Sequence, residues 1–65
     1  MKTFKNWKEA HNEAVELANL CKRDVGIEKG EEFGKIVFGV FLLPNKDNRY
    51  GHELTCEVVN PGTPN

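Results

Sequence analysis

Three glutamates carry the clearest chemistry of this 65-residue chain. Glu9, Glu13 and Glu16 recur at steps of four and three, the spacing that gathers side chains on one face of an α-helix. None of them has a lysine or arginine four residues further along, and Leu20 continues their row. The row predicts either an ordinary solvated helix face or a docking surface for a basic partner, since complementary charges steer association.

Residue types that bind metals or attack substrates are present but scattered. Cys21, Cys56, His11 and His52 have no zinc-like spacing, and no nucleophile stands beside a recognisable base. A chain this short also offers no obvious cavity of the usual ~300 Å³ or more. The sequence therefore predicts no catalytic residue, no metal site, no cofactor and no enzymatic activity. His11 lies on the same helix face as the apolar positions, and we expect it to be a boundary residue with its ring half packed.

The cysteine content indicates a reducing compartment. Two cysteines are too few for a disulfide framework, and both fall on apolar faces of predicted elements. We expect Cys21 and Cys56 to be buried and reduced, with one disulfide between helix and sheet as the alternative. No apolar run reaches the ~18 residues of a membrane span, and the N-terminus lacks the apolar segment of a signal peptide. These features predict a cytoplasmic protein.

A polar segment in the second half of the chain is a further recognition candidate. It contains both signs of charge and an aromatic ring, in Lys46, Asp47, Arg49 and Tyr50. Such a mixture suits partner contact, and the alternative is a plain hairpin loop. The net charge of −1, from nine basic and ten acidic residues, gives no support for nonspecific binding to nucleic acid.

One amphipathic helix is predicted to hold the glutamates. Asn6 is a good N-cap with Glu9 three residues further on, and residues 1–5 are predicted as a short polar lead. Gly26 suits a left-handed stop, so we place the helix at about residues 7–25. The apolar positions at helical spacing are Trp7, Ala10, Ala14, Leu17, Ala18, Cys21 and Val25.

Three strands are predicted after the helix. Residues 35–43 form a run that is apolar on both sides and ends at Pro44, as expected of a central strand. Residues 27–29 are predicted as a short strand before it, 30–34 as the turn, and 50–59 as the last strand.

The alternation within these strands predicts which side chains face the helix. In the central strand the uninterrupted row is expected to be core, and the row broken by Gly39 is expected on the open face. The first row is Ile36, Phe38, Val40 and Leu42, and the second is Val37, Phe41 and Leu43. In the last strand Leu54, Cys56 and Val58 alternate with polar residues and are expected to be buried.

The predicted fold is therefore α+β: one amphipathic helix packed on a three-stranded antiparallel sheet, in the order α-β-β-β. Residues 1–59 form a single domain, and residues 60–65 a flexible tail. Small domains have a thin margin of stability, so a partner or dimer contact would matter. The helix covers one face of the sheet, and apolar residues on the other, Phe41 above all, are candidates for an interface.

This plan over residues 7–59, in a small and slightly acidic chain, resembles the proteins with which phages inhibit bacterial defence. The resemblance is to anti-CRISPR proteins that act on type I CRISPR-Cas surveillance complexes. It implies stoichiometric inhibition by binding a basic DNA-binding surface of a Cas subunit in the cytoplasm of a bacterial host, with carboxylates standing where phosphates would lie. The double-stranded-RNA-binding domain shares the order α-β-β-β, but its final helix and basic cluster are missing here.

The sequence thus favours a non-catalytic, protein-binding inhibitor of the anti-CRISPR type. The alternatives are a structural or adaptor module that self-associates through its open sheet face, and a small regulator that binds nucleic acid. The predicted partner-binding residues are Glu9, Glu13, Glu16, Leu20, Phe41, Lys46, Asp47, Arg49 and Tyr50.

Overall fold

A helix lying across one face of a four-stranded antiparallel sheet makes up the computed structural model, which describes residues 2–44 and 56–64. The elements are β1 (Lys2–Phe4), α1 (Trp7–Cys21), β2 (Val25–Glu32), β3 (Lys35–Leu42) and β4 (Glu57–Val59). The strand order is β1-β3-β2-β4, and each neighbouring pair is antiparallel. The predicted α+β class is confirmed, with four strands rather than three.

The additional strand is β1, which the sequence analysis took for a polar lead. Thr3 lies opposite Gly39, and Phe4 lies opposite Phe38. Phe4 also packs against the buried core. A strand of three residues has no periodicity to read, and its partner lies more than thirty positions away in the sequence. The prediction of three strands was wrong for this reason.

The start of α1 follows the sequence prediction. The side-chain oxygen of Asn6 accepts hydrogen bonds from the backbone N–H groups of Lys8, at 2.8 Å, and Glu9, at 3.4 Å. Asn6 itself has extended backbone angles, as an N-cap residue should. Its side chain thereby satisfies N–H groups that have no acceptor within the helix.

The helix ends four residues before the predicted boundary at residue 25. Lys22 adopts the left-handed conformation, with φ 56° and ψ 39°, and the N–H of Arg23 donates to the carbonyl of Ala18 at 3.3 Å. Val25 instead begins β2 and is fully buried in the sheet. The guanidinium of Arg23 donates to the carbonyl of Leu43 at 2.7 Å, which ties the connection to the end of β3. Tertiary packing of Val25 therefore overrides the local stop signal at Gly26.

Small side chains bring α1 close to the middle of the sheet. Ala10, Ala14 and Ala18 are fully buried, and their spacing of four places them on one helix face. They meet a cluster drawn from three strands, with Phe4, Leu17 and Phe38 at its border. The other members of the core cluster are Val15, Val25, Ile27, Val40 and Val59.

The row of the central strand that was predicted to face the helix does so at its two middle positions. Val40 is buried and Phe38 packs at the border of the core. Ile36 and Leu42, at the two ends of the same row, are exposed. Ile36 lies near the hairpin turn, where the neighbouring residues are also exposed, whereas Leu42 lies opposite the fully buried Val25. Leu43, predicted with the open-face row, lies just beyond the strand and is buried.

β2 and β3 form a longer hairpin than the sequence indicated. They pair over eight residues each, from Val25 opposite Leu42 to Glu32 opposite Lys35. The turn consists of Phe33 and Gly34 alone, both with positive φ, which is the pattern of a type I′ hairpin turn. Residues 28–36, here called the arm, are exposed throughout. The predicted strand at 27–29 was too short and the predicted turn at 30–34 too long.

β4 has the opposite facing to that predicted. Val59 lies opposite Val25 and is buried under the helix, whereas Val58 lies opposite Gly26 on the other face of the sheet. Cys56 belongs to the same side as Val58 and is half-buried. The prediction that Cys56 and Val58 point to the core was therefore wrong, since alternation alone does not say which face is covered. Leu54 lies outside the described residues.

Residues 60–64, for which a flexible tail was predicted, form a turn held by α1. The backbone N–H of Gly62 donates to the side-chain oxygen of Asn19 at 2.6 Å, and the amide of Asn19 donates to the carbonyl of Thr63 at 3.3 Å. Within the turn, the hydroxyl of Thr63 donates to the carbonyl of Asn60 at 2.6 Å. Asn19 thus connects the C-terminal residues to the helix.

Replacing the N-cap should weaken the fold measurably. Asn6→Ala removes the acceptor of two helix N–H groups, and we expect a loss of about 1 kcal/mol in the free energy of unfolding, measured by urea denaturation. Asn12→Ala, at an exposed position inside α1, is the matched control. Since alanine favours helix interiors, this control should leave stability unchanged or slightly raised. Equal losses in the two variants would contradict the capping role.

Candidate functional site

The glutamate row lies on the side of α1 opposite its buried alanines. Glu9 and Glu16 are exposed, and Leu20 follows them at the C-terminal end of the helix. Together with Glu13 they form what we call the acidic ridge. The helical spacing that predicted this row is therefore present in the fold, since α1 includes all four positions.

The sequence suggested that Glu13 has no ion-pair partner, but the structure shows one. Its carboxylate pairs with the ammonium of Lys2 at 3.3 Å, and its side chain is only 31% exposed. Lys2 comes from β1, so the cation reaches Glu13 from the sheet rather than from one turn along the helix. This is the one ion pair found among residues 2–44 and 56–64. It leaves Glu9 and Glu16 as the charges that a partner would meet.

Leu20 is the apolar part of the ridge. It is 82% exposed, which is high for a leucine. Scattered exposed leucines are normal on protein surfaces, but this one directly continues a row of carboxylates. An apolar anchor beside charged groups is the arrangement that protein interfaces favour, with the anchor desolvated and the charges at the rim.

Phe41 does not project from the open face of the sheet as an interface anchor would. A Cβ atom added to Gly26 would lie 2.7 Å and 2.9 Å from two atoms of the Phe41 ring. The ring therefore occupies the space above Gly26, with Cys56 next to it, and Phe41 is half-buried. The sequence analysis missed this pairing. Gly26 and Phe41 lie opposite each other in neighbouring strands. This register is known only from the structure.

A depression of about 270 Å³ lies further along the open face. Gly30 and Gly39 contribute to its lining, so backbone is accessible where side chains would otherwise stand. Glu28 and Glu32 give it a negative character, and Thr3 adds a hydroxyl. Lys35 lies opposite Glu32 on the same face, next to the hairpin turn. The depression is thus shallow, with two carboxylates and one ammonium group around it.

An aromatic cluster lies where α1 meets the sheet at its N-terminal end. The Trp7 ring stands edge-on to that of Phe38, with 5.8 Å between ring centroids. The ring of His11 lies 5.8 Å from that of Trp7 on the other side. His11 is half-buried, so the prediction that its ring is half packed is confirmed. Trp7 remains 40% exposed, which leaves part of the cluster open to solvent.

The predicted burial of both cysteines was wrong. Cys21 is exposed at the end of α1, and Cys56 is half-buried beside Phe41. Cys21 is the last residue of α1 and follows Ala18 on the same helix face. Both thiols are free in the structure. Among the described residues, no group of three or more histidine, cysteine, aspartate or glutamate side chains could hold a metal ion.

Four predicted contact residues cannot be placed. Lys46, Asp47, Arg49 and Tyr50 lie outside the described residues, as does His52. The structure therefore bears on the acidic ridge and Phe41 alone.

No protein-family model, curated protein or solved structure matches the chain. In the part of the chain that the structure describes, no helix has both the length and the apolar character required to cross a bilayer.

The contact between Phe41 and Gly26 gives a sharp test of the open face. Gly26→Ala places a methyl group where the Phe41 ring lies, and we expect a loss of about 1–3 kcal/mol from overpacking, measured by thermal or urea denaturation. Gly30→Ala is the matched control in the same strand, because nothing lies within 4 Å of its added Cβ. A Gly30→Ala variant less stable than Gly26→Ala would contradict the placement of the ring.

The cysteines should differ in reactivity. In native protein Cys21 should react with a thiol-alkylating reagent as fast as it does in denaturant, whereas Cys56 should be slower because it is half-buried. Mass spectrometry of quenched time points measures both rates in one sample. Equal protection of the two thiols would contradict the exposed position of Cys21.

Proposed function

We propose that this protein is a non-catalytic binding protein that docks its acidic ridge on a basic surface of another protein. The observation that carries the proposal is the exposed Leu20 at the end of the carboxylate row. A helix with an apolar anchor and acidic neighbours complements a partner that offers an apolar recess flanked by lysine or arginine.

The number and spacing of the charges on the ridge limit the size of the basic surface that the ridge can complement. Glu9 and Glu16 are seven residues apart, roughly 10 Å along a helix. A DNA duplex carries about one charge per 1.7 Å of its axis, far more than the ridge offers over that distance. The ridge therefore suits a patch of a few basic side chains rather than the full length of a nucleic-acid channel.

In its most specific form, the proposal is that the protein is a phage anti-CRISPR inhibitor acting in the cytoplasm of a bacterial host. The resemblance in architecture motivates this form. Its target would be a Cas subunit of a type I Cascade-type complex, and the ridge would occupy part of the surface that recognises DNA. Binding there would block DNA recognition without any chemical reaction.

The two alternative functions receive less support from the surface. The open sheet face carries Glu28 and Glu32 with one lysine, Lys35, so self-association there would bring more like charges than opposite ones together. The Phe41 ring lies over Gly26 rather than projecting. Nucleic acid bound to the open face would place phosphates against these same carboxylates. Like charges brought together in an interface cost several kcal/mol.

Charge reversal on the ridge should weaken partner binding. Glu9→Lys combined with Glu16→Lys leaves the Lys2–Glu13 pair intact and changes only exposed positions. We expect the affinity for a purified type I Cascade-type complex to fall by at least about tenfold, as measured by biolayer interferometry, because attraction becomes repulsion. Displacement of target DNA from the complex should be lost in parallel.

The matched control is Glu28→Lys with Glu32→Lys, which makes the same change in net charge on the open face. It should bind like the parent protein. Raising the salt concentration should weaken the parent's binding, since exposed charges are screened over about 8 Å at physiological ionic strength. If the parent protein does not bind the complex, the anti-CRISPR form of the proposal fails. Equal losses in both double variants would refute the ridge as the contact surface.

A further inference from the structure

Lys2 and Phe4 both point from β1 to the side of the sheet that α1 covers. Lys2 lies opposite Val40, which belongs to the core beneath the helix, and Phe4 lies opposite Phe38, which packs at the border of that core. Side chains two residues apart in a strand share one face of the sheet. The ammonium of Lys2 therefore approaches the acidic ridge from the sheet.

Two groups of the protein surround this ammonium. The carboxylate of Glu13 lies 3.3 Å from Nζ of Lys2, and the centroid of the Phe4 ring lies 5.5 Å from the same atom. The carboxylate attracts a cation by its charge, and the ring attracts it by its quadrupole. Glu13 and Phe4 thus form a cation site beside the ridge, and the chain fills it with its own lysine.

The lysine in this site is exchangeable. The Lys2 side chain is 66% exposed, so water screens its attraction to Glu13. Exposed ion pairs contribute little to stability, because the Coulomb attraction is opposed by hydration and by the entropy of two long side chains. A lysine or arginine of another protein can therefore replace Lys2 at Glu13 without disrupting the fold.

We propose that Lys2 is an internal competitor for the acidic ridge: its ammonium occupies Glu13 until a basic side chain of the partner displaces it. The inference rests on the proposed function, since the partner is the basic protein surface described there. With Lys2 in place the ridge presents two free carboxylates, those of Glu9 and Glu16. After displacement it presents three.

This competition makes the ridge selective. A surface with scattered positive charges gains only the two free carboxylates, whereas a surface with a cation at the position of the Lys2 ammonium also gains Glu13. Specificity is a difference of affinities, and an internal group that must be displaced lowers the affinity for every partner that cannot replace it. Lys2 is therefore a specificity-determining residue of the ridge.

Anion-exchange chromatography tests the masking of Glu13 with a basic surface of defined chemistry. We expect Lys2→Met to elute from a quaternary-ammonium resin at higher salt than Lys8→Met. Both changes remove one positive charge, but only the first uncovers a carboxylate. Lys8 is the matched control because it is an exposed residue of α1 with no acidic residue three or four positions away.

A second pair of variants checks that the shift arises at Glu13. Combined with Glu13→Gln, Lys2→Met and Lys8→Met should elute together, since no carboxylate is then left to uncover. Circular dichroism checks that each variant is folded. The masking is overturned if Lys2→Met elutes with or before Lys8→Met, or if their difference persists in the Glu13→Gln background.

Affinity for a purified type I Cascade-type complex tests displacement by the partner. Lys2→Met should have a dissociation constant about two- to fivefold lower than that of Lys8→Met, because the partner no longer competes with an internal cation. This gain should disappear in the Glu13→Gln background. Equal dissociation constants for Lys2→Met and Lys8→Met overturn the competition.

The two measurements separate this inference from the proposed function. If the parent protein does not bind the complex, the anti-CRISPR form of the proposed function fails, and the chromatographic difference still decides whether Lys2 masks Glu13. If the parent binds the complex but the chromatographic difference is absent, the role of Lys2 is refuted and the proposed function stands.

Discussion

The packing of Ala10, Ala14 and Ala18 against the middle of the sheet is the contact on which the rest of the molecule depends. Small side chains let the helix approach closely, but they also contribute little apolar surface. The core is therefore compact and confined to the centre, with Val25 and Val40 at its base. Because α1 covers the half of the hairpin that contains Val25, Ile27 and Val40, the arm at the other end remains in solvent. The exposed arm follows directly from the small area of the sheet that α1 covers.

Features that depend on local spacing could be predicted from the sequence. Each of these features is defined by residues a few positions apart, so its pattern is visible in the chain. They are the Asn6 cap, the apolar helix face, the central strand and the glutamate row. Features that depend on distant pairing could not. β1 required knowledge of its partner β3, and the facing of Val59 required knowledge of which side the helix covers.

The candidate site also combines features that local spacing predicts with features that depend on distant pairing. The ridge was predictable as a row, but its charge balance was not, because Lys2 comes from a strand that the sequence concealed. The contact of Phe41 with Gly26 and the overhang of the arm likewise depend on sheet register.

The pair between Lys2 and Glu13 makes the ridge sensitive to the behaviour of an edge strand. β1 contributes only three residues to the border of the sheet, so it has fewer bonds to lose than any other element except β4. Short edge elements are where native proteins fray most readily. Each time β1 detaches, Glu13 loses its counter-ion and the helix gains a third free carboxylate. The net negative charge of the outer helix surface therefore depends on the hydrogen bonds that hold β1 to β3.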